Sequence, residues 1–373
     1  MKRLGFILSF ALMTISMAAG TISVVPGSGA LSAAIRQAQS GDVLMLADGQ
    51  YDESSNIVIS TPLTICAAEG ANPVLMAGGR IEVKADLRVA GLSIKTSKAA
   101  EAFRLQPGTE LYSLFIEGCT LKGFSSKTIR VYATDQASAY VDSLVIDDCV
   151  VRPAAGRGLE ASVANKQVQH LLIQNTTFDG GSNGAGRLIY FNSEEGTTVQ
   201  SATIDHCTFY HAQDTRGIYL GNIDGAQVSN CIFMNPEYNA DYKSYCVYGK
   251  NTLLTHSISY NADAYVRSGA QSNKVSTQDP FFVDADNGNF QLYKNSPAVT
   301  MGTDGSAIGD PRWGVSDENA DLSNIPYIPY KMPYSMAPTT TSVKVLWQMA
   351  EETKPTTAIV WYGTDKDNLK DSI

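Results

Sequence analysis

The chain has 373 residues, of which 17% are charged and 31 are glycine, and its formal net charge is −9. That length allows one large or two ordinary domains, and the composition suits a turn-rich β protein. The acidic balance argues against a general nucleic-acid binder, because phosphate binding needs a positive surface.

In chain order, Lys2 and Arg3 precede the apolar stretch Leu4–Met17, and Ser16-Met-Ala18 is a small-residue cleavage pattern. This predicts a signal peptide over residues 1–18 and an exported protein, secreted, periplasmic or at the cell surface. The stretch is too short for a comfortable membrane span, and no other span is evident. A monomer is expected. Leu31, Ala34, Ile35 and Ala38 then have the spacing of a short amphipathic helix, with Ser28 as its cap and Gly41 as its stop. Such a helix would cover the open edge of a first β-coil. Strands are predicted at Val43–Leu46, Ile57–Ile59, Leu63–Ile65, Val74–Met76 and Ile81–Val83.

From Val89 onward a six-residue phrase recurs every 24 to 31 residues. It reads Val89-Ala-Gly-Leu92-Ser-Ile94, Ile116-Glu-Gly-Cys119-Thr-Leu121 and Ile146-Asp-Asp-Cys149-Val-Val151. It continues as Ile173-Gln-Asn-Thr176-Thr-Phe178, Ile204-Asp-His-Cys207-Thr-Phe209 and Val228-Ser-Asn-Cys231-Ile-Phe233, with Leu254-Thr-His-Ser257-Ile-Ser259 as a degraded last copy. A fixed period means one supersecondary unit stacked on itself. The runs are too short for helices and rich in Ile, Val and Phe. The fold class is therefore all-β, a right-handed parallel β-helix over residues 21–314.

The third residue of each phrase is Gly91, Gly118, Asp148, Asn175, His206, Asn230 or His256. These types tolerate positive φ, which predicts a left-handed bend between two strands. By this reading His206 and His256 are turn residues. The next slot holds Cys119, Cys149, Cys207 and Cys231, a column expected to be buried thiols. Bridges between Cys119 and Cys149, or Cys207 and Cys231, stay open because neighbouring strands lie about 4.8 Å apart.

A further face aligns through the apolar pairs Phe103/Leu105, Ile129/Val131, Leu159/Ala161, Ile189/Phe191, Ile218/Leu220 and Val247/Gly249. The residue between each pair points outward by alternation: Arg104, Arg130, Glu160, Tyr190, Tyr219 and Tyr248. Two positions before each pair lies a second column, Glu101, Lys127, Arg157, Arg187, Arg216 and Tyr245. Aromatic faces stack on sugar rings and Arg pairs with carboxylate or sulfate. The candidate substrate-binding residues are thus Tyr190, Tyr219, Tyr248, Arg130, Arg157 and Arg187, with an acidic polysaccharide as partner. Stacked identical side chains that simply stabilise the sheet are the competing reading. Four histidines without ligand spacing argue against zinc. Asp284-Ala-Asp-Asn-Gly-Asn289 lacks the register and terminal Glu of a calcium loop and reads as a turn.

The opening Gly41-Asp-Val-Leu-Met-Leu-Ala-Asp-Gly-Gln-Tyr51 resembles the first coil of the chondroitinase B and alginate lyase family. The stretch Asp279-Pro-Phe-Phe-Val-Asp284 through Ile308-Gly-Asp-Pro-Arg-Trp313 resembles the terminal coil of many secreted bacterial β-helix proteins, and closes the solenoid in that reading. Residues 21–314 together resemble uncharacterised β-helix proteins exported by Bacteroidetes. The lyase resemblance implies a Lys base, an Arg acid and a calcium held by Asn and Glu. Lys250, Arg216 and Arg267 are the candidate catalytic residues on that basis. Asn183-Gly184 resembles the start of the calcium motif, but Gly186 stands where its Glu is expected. No metal ligand is assigned, and Ca²⁺ is left open as a cofactor.

Residues 315–338 are Pro- and Tyr-rich and read as a linker. Residues 339–373 carry two strand-like runs, Thr341–Trp347 and Thr357–Gly363. These resemble the start of a fibronectin-like domain, closest to the one preceding purple-acid-type metallophosphoesterases. A sandwich needs about 100 residues, so a truncated domain is expected. Three functions follow: a polysaccharide-recognising β-helix, a lyase acting on uronate glycans by β-elimination, or a structural surface module of a truncated phosphoesterase.

Overall fold

The computed structural model describes residues 19–132, 134, 137, 139–161, 167–181, 184–191, 199–212, 216–235, 245–265 and 271–321, with the strands 329–336, 344–349, 361–362 and 371–372 beyond them. Contacts divide the chain into two compact units at Ala320/Asp321. The expected signal peptide lies outside the described residues.

The first unit is a right-handed parallel β-helix with three faces. Each full coil contributes one short strand to each face. First-face strands include Leu87–Ala90, Tyr112–Glu117, Tyr140–Asp147, Gln167–Gln174, Ser201–Asp205 and Gln227–Ser229. Second-face strands include Ser93–Lys95, Thr120–Lys122, Val150–Arg152, Thr177–Asp179, Thr208–Tyr210 and Ile232–Met234. The third face includes Phe103–Leu105, Lys127–Val131, Arg157–Ala161, Ile189–Phe191, Arg216–Asp224 and Tyr245–Lys250.

The repeated phrase is the corner between the first and second faces. Its third residue is left-handed in every copy, with φ of 74° at Gly91, 59° at Gly118, 50° at Asp148, 48° at Asn175 and His206, 53° at Asn230 and 45° at His256. Gly, Asn, Asp and His fill the slot because bulkier or β-branched residues are strained there. At His256 the corner interrupts one continuous strand, Leu253–Tyr260, which serves both faces.

The column after the bend points inward. Cys119, Cys149, Cys207 and Cys231 are fully buried, and the cysteines are free. Each thiol donates to the carbonyl two residues earlier, at 3.2, 3.1, 3.2 and 3.0 Å. Thr176 and Ser257 occupy the same slot and donate to Gln174 and Thr255 in the same way. From Cys119 to Ser257 the slot holds a small donor-bearing side chain, which adds a second hydrogen bond to a corner carbonyl that already accepts a backbone N–H from a neighbouring coil. Bridges between neighbouring slots, left open by the sequence, are not formed.

Inward residues build one continuous core. Ile116, Ile146, Ile173 and Ile204 are register partners on the first face, and Phe178, Phe209 and Phe233 on the second. Those three rings stack at 5.3 and 4.9 Å. Full burial of each such side chain contributes roughly 1.5–3 kcal/mol.

At the N-terminal end, the helix Ala30–Gln37 buries Leu31 and Ala34. Its cap differs from expectation. Gly29 is the N-cap residue and makes no side-chain bond. The free helical N–H groups of Leu31 and Ser32 instead donate to Glu53 Oε1 at 2.9 and 3.2 Å. Helix termini need an acceptor, and here the following coil supplies it. The C-cap is Ala38, three residues before Gly41.

The C-terminal stretch does not add another coil. Residues 282–314 run as a lateral strap over the outer side of the second face. The Asp310 carboxylate accepts from the Thr177 hydroxyl at 2.7 Å, and its amide donates to Thr208 Oγ1 at 3.0 Å. Trp313 Nε1 donates to Thr177 Oγ1 at 2.8 Å, and Gly309 N to the Asn230 carbonyl. Gly309 has φ of 86°, and a Cβ there would stand 2.8 Å from Ile232 Cδ1. Only glycine lets the strap approach this closely.

In the second unit, Pro329–Met336 pairs antiparallel with Lys344–Met349, and Trp361–Tyr362 with Asp371–Ser372. The latter half of the segment read as a linker is thus a strand. In a two-stranded ribbon both strands are edges, where proline is tolerated.

Candidate functional site

The third face carries a continuous outward column of polar and aromatic side chains. Phe103, Ile129, Leu159, Ile189, Ile218 and Val247 are register partners pointing inward. The residues that follow them, Arg104, Arg130, Glu160, Tyr190, Tyr219 and Tyr248, are likewise register partners. Strand alternation alone places the column outside. The column extends further toward the N-terminus than the sequence reading took it, because Glu82 pairs with Arg104 and Val58 with Glu82. The phrases Ile57-Val-Ile59 and Ile81-Glu-Val83 carry the same apolar spacing and could have revealed this.

The column changes chemistry along its length. At the tyrosine end, Tyr190 and Tyr219 lie 5.1 Å apart between centroids, and Tyr219 and Tyr248 lie 4.8 Å apart with only 5° between planes. Arg157 sits over the Tyr190 ring at 4.1 Å. Arg187 lies against both Tyr190 and Tyr219, at 4.5 and 5.0 Å. The tyrosine faces pack on one another. A sugar ring inserted between two aromatic rings needs about 3.5–4 Å on each side. The observed spacing is too small, so the tyrosines present ring edges and hydroxyls.

At the other end the basic residues are organised by two buried carboxylates. Glu101, 3% exposed, accepts from Arg104 Nε at 2.6 Å and Arg130 Nη1 at 3.1 Å. Burial alone would raise this carboxyl, but the hydrogen bonds and charges of Arg104 and Arg130 hold it below the usual carboxylate range. Glu160, 1% exposed, accepts from Arg157 and lies 3.8 Å from both Lys127 Nζ and Arg130 Nε. Tyr132 adds a ring beneath Arg104 and Arg130, at 4.7 and 4.9 Å. Neither glutamate was assigned as an anchor from sequence, since a buried ion pair has no periodic signature.

Arg80, Arg104, Lys127, Arg130 and Arg157 pair with three carboxylates, Glu82, Glu101 and Glu160, and Arg187 adds a further cation against the tyrosines. The described surface is therefore locally positive on an acidic protein. The guanidinium groups are held in fixed positions by their glutamates, which lowers the entropic cost of their meeting an anion.

Of the three candidate catalytic residues, only Lys250 has a described side chain. Lys250 is exposed at the end of Tyr245–Lys250, two residues beyond Tyr248, and its amine lies 3.0 Å from Asp224 Oδ2. Arg216 is the register partner of Tyr245, but its side chain lies outside the described residues. Arg267 and Asn183 lie outside them altogether. No group of three or more His, Cys, Asp or Glu side chains able to hold a metal occurs among the described residues. Asp284–Asn289 is a turn: Ala285–Asn287 forms one turn of 3-10 helix, and Asp286 accepts from Tyr210. No described helix is long and apolar enough to cross a membrane.

A family described as a domain of unknown function, DUF5123, matches residues 202–313, which comprise the last coils and the strap. Among solved structures, pectate lyase Pel9A is 13% identical over 82% of this chain and 98% of that one, with a TM-score of 0.49. The PL6 family alginate lyase AlyGC is 17% identical over 71% of this chain, with a TM-score of 0.30; a point mutant of it is 16% identical over 72%, with a TM-score of 0.45. The matches span 38% and 41% of those alginate lyase chains. No curated protein matches this chain.

Proposed function

We propose that the third face of the solenoid holds an acidic polysaccharide lengthwise, and that the protein is exported after loss of residues 1–18 to act in glycan recognition. The unbroken outward column from Arg104 to Tyr248 carries this reading. It sets positioned guanidinium groups beside a row of phenol edges along one axis. The guanidinium groups would meet carboxylates or sulfates, and the tyrosine hydroxyls would bond sugar hydroxyls. A linear polyanion suits a linear array, since it can meet the guanidinium groups and the phenol edges in succession along one axis.

The test is the affinity of the purified chain for alginate, pectate and chondroitin sulfate, with and without replacement of Tyr190, Tyr219 and Tyr248 by alanine. The expected result is binding to at least one of the three that weakens with salt and is lost in the triple variant without loss of fold. Absence of binding to all three polymers would overturn the reading.

A second reading, β-elimination on a uronate glycan, is favoured by one observation. Lys250 follows Tyr248 on the same strand and the same side, about 6.6 Å along it. A base beside a bound uronate could abstract the proton next to its carboxylate. Rising ultraviolet absorbance on mixing with these polymers, with or without Ca²⁺, and its loss in Lys250→Ala, would support it. A flat trace would leave binding alone.

A further inference from the structure

Between the second face and the strap lies a cavity of about 330 Å³. It is separate from the third face, and nothing proposed above uses it. Its two walls differ in chemistry. Phe282, Phe290, Leu292 and Ile308 form an apolar wall, while Asn175, His206, Ser306 and Asp310 supply polar groups. His206 was read from sequence as a turn residue, and it is one, but its ring also lines this space.

The histidine is held in position. Its Nδ1 is 2.8 Å from Asp205 Oδ2, leaving Nε2 for another partner. Asp205 is fixed in turn by Ser229 Oγ at 2.6 Å and Asn230 Nδ2 at 2.8 Å. The hydrogen bond to Asp205 outweighs burial and, with the charges of Asp205 and Asp304, raises the imidazole above its ordinary value. Asp310 is 5% exposed, and its oxygens accept from Thr177 and from the Arg312 amide.

We propose that this cavity binds one small hydroxylated carboxylate, a sugar acid of single-ring size. Its carboxylate meets the His206 imidazolium. Its hydroxyls donate to Asp310 and bond Asn175 and Ser306, and its C–H face rests on Phe282, Phe290 and Leu292. Polar groups on one wall and apolar side chains on the other suit a ligand that carries both kinds of surface, as a sugar ring does. The volume lies at the low end of small-ligand pockets, roughly 300–1,000 Å³, which suits one ring rather than an oligomer.

The test is calorimetric titration of the full chain with galacturonate and with galactose. Wild type should bind galacturonate at least about tenfold more tightly than galactose, a preference of about 1.4 kcal/mol. His206→Asn removes the cation but keeps a residue type that Asn175 and Asn230 show the bend accepts, and it should abolish the preference. Ala307→Leu, on the strap side of the cavity, should weaken both ligands by filling the space, and it decides the matter if the histidine variant does not fold. Replacing Tyr190, Tyr219 and Tyr248 with alanine should leave the titration unchanged, which separates this site from the polymer face. Absence of galacturonate binding, equal affinity for the two sugars, or unchanged binding in Ala307→Leu would overturn the proposal.

Discussion

The second and third faces of this solenoid begin from the same rule and end differently. On both, alternate residues of short parallel strands point outward. On the second face Thr177 and Thr208 are consumed by the strap, bonded to Asp310 and Trp313 and buried. On the third face Arg104, Arg130, Tyr190, Tyr219 and Tyr248 lie on a surface that is only half covered. Outward direction is set by the strand; whether an outward residue becomes packing or presented surface is set by what another segment places on it.

The third face is most sensitive at its buried carboxylates. Glu101→Ala removes the shared partner of Arg104 and Arg130. Breaking a buried pair costs about 3–5 kcal/mol, and the partial exposure of the arginines puts this case at or below the lower end. Urea unfolding should read the loss, and a change under about 1 kcal/mol would mean the network is screened surface charge.

The strap carries the next effect, and it depends on pH. Burial raises the Asp310 carboxyl to about 6, offset in part by Thr177 and Arg312. A carboxyl whose pKa is higher folded than unfolded binds protons more tightly when folded. Its stabilising contribution is present at acid pH and is lost as pH rises from about 4 to about 6, by up to roughly 3 kcal/mol. His206, also raised, acts in the same direction, present below its unfolded value and lost as pH rises through the folded one. Wild type should therefore lose stability across this window relative to Asp310→Asn. Parallel denaturation curves for the two proteins at pH 4.5 and 7 would contradict this.

Gly309→Ala should cost about 2 kcal/mol, since the methyl meets Ile232 and Thr208 at a backbone angle that favours glycine. Limited proteolysis should then cut the strap before the coils, and simultaneous loss of both would show that the strap is integral to the solenoid. The smallest effect is expected at Tyr219. Its removal breaks contacts with Tyr190, Tyr248 and Arg187 on a half-exposed surface, so the melting temperature should fall by only a few degrees while polymer affinity falls sharply. A large loss of stability with intact affinity would make the tyrosine stack structural.

Much of the fold was legible because a solenoid writes its geometry into the chain as a period. The left-handed slot was visible in Gly91, Asp148 and His206, and the outward column followed from apolar spacing alone. Lys250, Arg216 and Arg267 were placed by resemblance, and the described structure positions only the side chain of Lys250, in an ion pair with Asp224. The small donor-bearing slot of Cys149, Thr176 and Ser257 was half legible: the cysteines stood out, but the second hydrogen bond they add to a corner carbonyl did not.

Near neighbours and the coil period account for strand positions, the corner residue and side-chain parity, and these are readable along the chain. The folded chain adds the ring spacing that closes the tyrosine faces, the glutamates that pin the arginines, and the strap that covers Thr177 and turns Thr208 and His206 into a cavity wall. Those outcomes join residues such as Thr177 and Asp310, 133 positions apart and without any shared period. Contacts of that kind are chosen by shape and by the need to satisfy buried polar groups, which only the folded chain brings together.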